Sequence, residues 1–391
     1  MRSFAKGPLS MRVGIDASNL RGGGGITHLR ALIGSTDPVR DGIERLTVWG
    51  SRKTLDELPE RVWLDRVHQP ALDGSLLSRT TWRHRWLPKL AADASDILLA
   101  PGGTCTGAFR PVVTMSRNLL PFEFPEMLRF APSRIFWRTL LLRGTLSRSF
   151  RRADGTIFLT EYARKRVLKV TGPLPGKTTI ISHGIDRRFF LAPRPQLPIT
   201  AYTFDKPLRV LYSSIIDLYK HQWEVVRGVA KLRSEGFPIT LELVGPKYPP
   251  AYRRVEKAMR ECGAGEFVAA PGAVPHDELH ERYHAADLFV FASTCENLPN
   301  ILLEAMAAGL PIACSERGPM PEVLGGGGLY FEPTDPMSIA HAVRNLLVDP
   351  EVRARCAAEA VRRAESLSWD RCATETWSFL RDVLATYRSE K

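Results

Sequence analysis

Short apolar runs alternate with longer amphipathic stretches along the 391-residue chain. In the first half, apolar runs of strand length predict β-strands at 11–20, 46–50, 96–100, 111–115, 155–160 and 178–186. In the second half, similar runs lie at 208–214, 239–245, 267–272, 288–293 and 311–315. Between the runs, apolar residues recur with helical spacing, as at Ile26, Leu29 and Ile33. Strands that alternate with helices are typical of parallel α/β sheets.

A proline-rich stretch at 191–207 interrupts this alternation. Proline disfavours both helix interiors and sheet pairing, so the stretch predicts a linker. The alternation restarts after it, which divides the chain into ranges 1–195 and 205–370. The sequence therefore predicts an α/β fold of two doubly wound, Rossmann-like domains that face each other across a cleft. Ligands of such sheets bind beyond the carboxyl ends of the strands.

Charge is distributed unevenly between the two halves. Residues 1–200 contain 32 Lys and Arg against 16 Asp and Glu, a net charge of +16. Residues 201–391 contain 22 against 26, a net charge of −4. The basic half favours an anionic partner, either nucleic acid or a phospholipid surface. The six cysteines include no C-x-x-C pair, which favours reduced thiols and a cytoplasmic location.

The most specific pattern in the chain is the segment 293–315, STCENLPNILLEAMAAGLPIACS. It begins where an apolar strand ends, and an apolar helical pattern follows. Pro299 suits the first helical position, because its missing N–H would have no partner there. The backbone amides near Asn297 and Leu298 would then be the open donors of a helix N-terminus, which favours phosphate.

Two carboxylates flank this predicted phosphate site. Glu296 lies beside the helix mouth, and Glu304 follows about five residues beyond the predicted helix start, roughly 7.5 Å along the axis. The pair would grip hydroxyl groups on either side of a pyrophosphate. A nucleotide sugar has this layout, with a sugar, a diphosphate and a ribose in sequence.

The Glu–seven residues–Glu segment, followed by A-M-A-A-G-L-P-I, closely resembles the donor-binding motif of retaining glycosyltransferases of the GT-B fold, glycosyltransferase family 4 or group 1. Other stretches of the chain are similar to family segments, at 180–186, 241–246 and 274–293. The resemblance is strongest over 208–315 and loosest at the first strand and the glycine loop.

The resemblance implies a role for each matching residue. Glu304 would bind the ribose hydroxyls, and Glu296 would bind the transferred sugar. The amides after Glu296 would hold the diphosphate, and Gly245 would lie in the turn near the nucleotide. Lys220 matches the lysine that neutralises the departing diphosphate, a contact that suits a lysine point charge. The resemblance also implies retention of anomeric configuration, with the leaving phosphate assisting deprotonation of the acceptor.

This chain departs from the family pattern at two positions. Members usually carry an arginine that binds the donor diphosphate about six residues before the lysine, whereas this chain has Ser214 at that donor-binding position. Arg117 stands where the family commonly has a histidine, and it would contact donor phosphate or sugar, or alternatively form a structural salt bridge. In similar enzymes the loop that contains Gly23 and Gly24 lies beside the donor phosphates and the acceptor; a flexible turn is the alternative.

The sequence predicts that neither a metal nor a resident cofactor takes part. No D-x-D occurs, and there is no His/Cys ligand cluster. Cations and helix amides must then stabilise the leaving group. The nucleotide sugar is the expected co-substrate.

Two clusters in the first half combine arginine with large apolar residues. The segment 127–154 has seven arginines and one acidic residue, interleaved with Trp137 and several Leu and Phe. A second cluster, 76–90, has two Trp and four Lys or Arg. Such helices suit the surface of an anionic bilayer; the alternative is a pair of core-packed helices with solvated charged faces. Nucleic acid is disfavoured, because the chain has no recognition motif.

These observations predict a metal-independent glycosyltransferase, peripheral on the inner face of the cell membrane. It would move a hexose from a GDP- or UDP-sugar to a lipid-linked saccharide acceptor in surface polysaccharide or lipopolysaccharide synthesis. Range 1–195 would bind acceptor and membrane, range 205–370 would bind the donor, and a final helix at about 372–391 would pack back on the first domain. Two alternatives are a sugar-nucleotide epimerase or phosphorylase of similar fold and a non-enzymatic basic protein that binds lipid or nucleic acid.

Overall fold

The computed structural model describes residues 10–105, 107–275 and 277–391. They form two compact units. The first comprises the described residues up to Phe122, together with Trp137–Gly184 and Ser368–Lys391. The second comprises Glu123–Phe136 and Ile185–Leu367. The nine residues before Ser10, which are part of the predicted domain 1–195, lie outside the described residues.

All sheet pairing within the described residues is between parallel strands. The strands are β1 (Met11–Asp16), β2 (Ile43–Gly50), β3 (Leu64–His68), β4 (Ile97–Ala100), β5 (Val112–Met115), β6 (Gly155–Phe158), β7 (Lys177–Ile180), β8 (Leu208–Ser213), β9 (Ile239–Val244), β10 (Val268–Gly272), β11 (Leu288–Phe291), β12 (Ile312–Ser315) and β13 (Leu329–Phe331).

Helices connect most of the strands. They are α1 (Gly24–Gly34), α2 (Arg52–Asp56), α3 (Pro70–Asp73), α4 (Leu76–Arg85), α5 (Leu87–Ala94), α6 (Phe124–Leu128), α7 (Arg134–Arg152), α8 (Glu161–Thr171), α9 (Gln222–Ser234), α10 (Pro249–Glu261), α11 (Leu279–Ala285), α12 (Asn300–Ala307), α13 (Met320–Leu324), α14 (Pro336–Val348), α15 (Pro350–Glu365) and α16 (Trp369–Ser389).

The first unit contains a seven-stranded sheet in the order β3-β2-β1-β4-β5-β6-β7. The order reverses between β1 and β4, which makes that position the topological switch point of the sheet. The central strands are buried on both faces, so they are apolar at nearly every position, as the uninterrupted run Ile97–Ala100 illustrates.

The second unit contains a six-stranded sheet in the order β10-β9-β8-β11-β12-β13. Its switch point lies between β8 and β11, which pair at Val210 and Leu288. Two parallel, doubly wound sheets with helical connections confirm the predicted Rossmann-like fold class. The strands that the sequence pattern failed to predict are β3 and β13, which lie at sheet edges. Edge strands bury less surface, so their polar or short sequences carry little apolar signal.

The proline-rich stretch 191–207, predicted as a linker, is irregular and is hydrogen-bonded within the second unit. Leu191 donates its backbone N–H to the carbonyl oxygen of Ala307 at 3.0 Å. The buried guanidinium of Arg353 donates to the side chain of Gln196 at 3.1 Å and also to the Leu197 carbonyl oxygen. Prolines prevented regular structure here, but they did not prevent tertiary hydrogen bonds.

The final helix, α16, packs within the first unit. The indole N–H of Trp377 donates to the hydroxyl of Thr36 at 2.9 Å, and Arg381 donates to the carbonyl oxygen of Asp41 at 2.6 Å. Both acceptors lie just beyond α1. None of the helices in the described residues has the length and apolar character that crossing a bilayer requires.

Candidate functional site

The loops at the carboxyl ends of β8 and β11 flank the switch point of the second sheet. Lys220 follows β8, Glu296 follows β11, and the Lys220 ammonium donates to Oε1 of Glu296. The lysine side chain is 6% exposed and the glutamate side chain 14% exposed. Both charged groups are therefore largely shielded from water, and each is stabilised by the opposite charge of the other.

The backbone around Lys220 is held in a fixed conformation. The Tyr212 hydroxyl donates to the Lys220 carbonyl oxygen at 2.6 Å, and the Lys220 N–H donates to the Asp217 carbonyl oxygen at 3.0 Å. The next residue, His221, is the one non-glycine residue among those described with a positive φ, at 51°. A strained backbone of this kind persists only where surrounding contacts determine it, and such strain is frequent at functional sites.

The loop 293–299 leads into α12, which begins at Asn300. The sequence predicts Pro299 at the first helical position, and this prediction is wrong by one residue. Pro299 is the N-cap: its ψ of 91° is not helical, while its carbonyl oxygen accepts from the Leu302 N–H at 2.9 Å. The Asn297 side chain is buried and that of Leu298 is half-buried. The N–H groups of Asn300 and Ile301, which precede Leu302, have no acceptor within a helix that begins here.

Glu304 lies on the second turn of α12, where its carboxylate meets Tyr283 of α11. The Tyr283 hydroxyl is 3.0 Å from Oε2 of Glu304 and 3.1 Å from the carbonyl oxygen of Ile301. Burial raises the pKa of Glu304 to about 7, while the Tyr283 hydrogen bond and the charge of Arg188 oppose that rise. The carboxyl group therefore titrates near neutral pH, which is typical of functional carboxylates.

Ser214 and Gly245 lie together at the ends of β8 and β9. The Ser214 N–H donates to the Val244 carbonyl oxygen at 2.8 Å. Gly245 has a φ of 145°, and a Cβ there would be 2.0 Å from the Ser214 carbonyl oxygen. Only glycine permits this close approach of two backbones. This close approach fixes the backbone at the ends of β8 and β9. The donor-binding role predicted for both residues stays a prediction.

The remaining candidates, Arg117, Gly23 and Gly24, lie in the first unit. Arg117, which follows β5, donates to the carbonyl oxygens of Gly24 and of Gly25, the latter at 3.3 Å. Gly23 is the N-cap of α1, with a φ of 60°. Burial lowers the pKa of Arg117 to about 10, so the guanidinium stays protonated at neutral pH. Hydrogen bonds to backbone carbonyl oxygens thus hold Arg117 to the glycine loop, in place of the structural salt bridge that was the alternative.

The structure adds neighbours of the candidate residues that the sequence pattern does not predict. Tyr283 contacts Glu304, and Thr294 lies two residues before Glu296, with its hydroxyl 3.3 Å from Nε2 of His221. A helical tyrosine and a loop threonine carry no distinguishing pattern, so only the tertiary contacts identify them. Among the described residues, no group of three or more His, Cys, Asp or Glu side chains is arranged to hold a metal.

Residues 201–363 match the family model described as glycosyl transferases group 1. The chain is 34% identical over 125 residues to the O-antigen chain mannosyltransferase B of Escherichia coli, which covers 32% of each chain. It is 30% identical over 233 residues to a GDP-mannose-dependent alpha-(1-6)-phosphatidylinositol monomannoside mannosyltransferase of Mycolicibacterium smegmatis, covering 55% of this chain and 58% of that protein. The matched regions thus span only part of these relatives' own length.

Comparison with solved structures supports the fold independently. The sucrose-phosphate synthase of Thermosynechococcus elongatus superposes with a TM-score of 0.75 at 18% identity, over 96% of this chain and 99% of that chain. Identity at this level establishes the shared architecture alone. Residues 201–363 therefore match the glycosyl transferases group 1, and the chain has the GT-B fold of two Rossmann-like domains.

Proposed function

We propose that this protein is a retaining, metal-independent glycosyltransferase that moves a hexose from a GDP- or UDP-sugar to a lipid-linked saccharide in surface polysaccharide or lipopolysaccharide synthesis. The observation that carries the proposal is the Lys220–Glu296 pair at the switch point of the second sheet. Ligands of doubly wound sheets bind at this position. The names of two relatives, an O-antigen mannosyltransferase and a GDP-mannose-dependent enzyme acting on a phosphatidylinositol mannoside, support the substrate classes.

In the proposed mechanism, the donor lies along the amino-terminal end of α12. Glu304 accepts hydrogen bonds from the ribose hydroxyls. The amides of Asn297 and Leu298, before Pro299, bind the diphosphate. Glu296 accepts from the sugar hydroxyls, and this contact releases Lys220 toward the phosphates.

Lys220 then stabilises the charge that develops on the departing diphosphate. A preorganised cation in a partly dry site has a larger effect there than in water. The leaving phosphate takes the acceptor's proton and the acceptor attacks the same face of the sugar, so the configuration is retained. In the first unit, Arg117, Gly23 and Gly24 are the proposed contacts for donor or acceptor.

A thermal-shift series with UDP, GDP, ADP and their sugars tests donor binding. A ligand that binds only the folded protein raises Tm by mass action, by about 2–5 °C at a hundredfold excess over Kd. We expect one base to give this rise, and proton NMR of the glycoside product to show the donor's anomeric configuration. If none of the nucleotides changes Tm, the assignment of a donor site is wrong.

The proposed membrane contact is carried by the exposed face of α7. Trp137 is 57% and Leu141 is 74% exposed, and the two lie one turn apart. Arg134 and Arg138, both exposed, flank them. An apolar stripe bordered by arginine suits the interface of an anionic bilayer, which would place the enzyme on the cytoplasmic face of the membrane.

We expect the protein to sediment with phosphatidylglycerol vesicles and less with phosphatidylcholine vesicles. Each basic residue near the surface contributes about 1 kcal/mol, so Arg134→Gln with Arg138→Gln should weaken partitioning roughly 30-fold. Arg362→Gln on α15 is a control, because that arginine is exposed and paired with Glu359. Equal sedimentation with both vesicle types, or no effect of the double substitution, would contradict the membrane assignment.

A further inference from the structure

A short segment that lies between β5 and most of α7 in sequence packs within the second unit. Residues Glu123–Phe136 group with that unit, and α6 forms their first half. Phe130 is 5% exposed, and its ring lies 6.4 Å from that of Tyr219 and 6.4 Å from that of Tyr248. Tyr219 immediately precedes Lys220. The segment is therefore anchored against the loop that carries the proposed phosphate-binding lysine.

The segment also contacts the loop that carries Glu296. The Thr294 hydroxyl donates to Oε2 of Glu126 at 2.6 Å. The same hydroxyl lies 3.3 Å from Nε2 of His221, the residue after Lys220. Glu126 thus contacts the loop that carries Glu296, at a hydroxyl group that also contacts the residue after Lys220.

Arg129 completes this arrangement. Its Nε donates to Oε2 of Glu126 at 2.6 Å, and its side chain is 32% exposed. Burial, followed by the positive charge of Arg129, lowers the pKa of His221 to about 3. The guanidinium is therefore close enough to the switch-point loops for its field to act on them, and His221 contributes no charge at neutral pH.

Two ion pairs beside the switch point are each neutral as a pair before any ligand is bound. Lys220 is paired with Glu296, and Arg129 is paired with Glu126. A sugar diphosphate adds two negative charges, and the side chain at position 214 is a neutral serine. If Glu296 turns to the sugar, the single positive charge of Lys220 and the neutral backbone amides face two negative charges. A second cation within reach would remove this imbalance.

We propose that Arg129 is a binding residue for the donor's second phosphate, the one bonded to the sugar, and that Glu126 holds its guanidinium in place until the donor arrives. This inference rests on the proposed function and adds a contact to the same site. A guanidinium suits the task because its planar fork matches two phosphate oxygens at once. Arg317 is a poorer candidate, because its guanidinium is bound by Glu332 at the protein surface.

Loss of the Arg129 side chain should weaken the binding of nucleoside diphosphates more than the binding of monophosphates. Titration calorimetry of Arg129→Gln with UDP, GDP or ADP should show affinity about 10- to 100-fold below that of the intact protein, the usual effect of a lost charge-assisted hydrogen bond. Affinity for the matching monophosphate, which lacks the second phosphate, should change less than about threefold. Arg129→Lys keeps the charge and should recover part of the diphosphate affinity.

Arg344→Gln is the matched control. Arg344 has a 33% exposed side chain paired with Glu235, which follows the carboxyl end of α9, away from Lys220. This variant should bind both nucleotides as the intact protein does. Arg129→Gln with unchanged diphosphate affinity would overturn the proposal, as would equal losses for both nucleotides without recovery in Arg129→Lys. If the intact protein binds no nucleoside diphosphate, the proposed function fails, and this inference fails with it.

Discussion

Lys220→Ala is expected to lower kcat/KM for sugar transfer about 10²- to 10³-fold, the usual effect of removing one preorganised group that stabilises transition-state charge. The loss should appear mainly in kcat, because the charge on the departing diphosphate develops during bond cleavage. The measurement is steady-state transfer from whichever nucleotide sugar raises Tm.

The same substitution should destabilise the protein. It leaves Glu296 without its cation in a site where the carboxylate is 14% exposed, and breaking a buried pair costs about 3–5 kcal/mol of unfolding free energy. Partial access to water places the expected value at the lower end of that range. Chemical denaturation at neutral pH measures it.

A second substitution separates the two effects. Lys220→Met combined with Glu296→Gln removes both charges, so stability should largely recover while activity should not. Lys231→Ala serves as a control, because this lysine pairs with Glu235 at 3.3 Å in a partly exposed position, where ion pairs contribute about 0–1 kcal/mol. Normal turnover in Lys220→Ala would refute the role assigned to this lysine.

Nucleotide-sugar affinity is expected to fall about tenfold per pH unit as the pH drops below 7. The sign follows from the pKa of Glu304, which burial raises to about 7. Above that pH the carboxylate accepts hydrogen bonds from the ribose hydroxyls; below it the carboxyl group is protonated and loses both its charge and an acceptor. His221 does not contribute, because its pKa of about 3 keeps it neutral over this range.

The affinity is best measured with a nucleotide sugar between pH 5.5 and 8.5. Its diphosphate is esterified at both ends, so the ligand itself does not titrate near neutral pH. Glu304→Gln should bind weakly at every pH and show a flat profile. Tyr283→Phe should move the midpoint upward, because the Tyr283 hydrogen bond lowers the pKa of Glu304. A flat profile for the intact protein would contradict the assignment of Glu304 to the ribose.

The fold was predictable because both sheets are buried on both faces. A central parallel strand must be apolar along its length, so runs such as 97–100 and 288–291 are visible without any tertiary information. The strands that were missed, β3 and β13, lie at edges and lack that constraint. The stretch 191–207 shows the reverse case, because its prolines indicate irregular backbone but do not indicate which residues that backbone contacts.

The candidate site was predictable only where its residues are close in sequence. Glu296 and Glu304 belong to one loop and helix, so their spacing conveys their geometry. Lys220 was assigned by resemblance, and its contact with Glu296 joins positions 76 residues apart. In the sequence, Arg129 is distinguished only as one arginine of the basic cluster 127–154. Its place beside Glu126 and the switch-point loops depends on Phe130 packing against Tyr219 and Tyr248.

The amino-acid sequence by itself determined the strand–helix alternation, the division into two Rossmann-like halves and the helix with its two glutamates, because these follow from local periodicity and short-range spacing. Tertiary structure alone decided which charged groups contact each other and how far their pKa values are shifted. The pairing of Lys220 with Glu296, the raised pKa of Glu304 and the placement of Arg129 all arise from burial and from contacts between distant segments. Such contacts depend on how the elements pack, and no local pattern of residues encodes them.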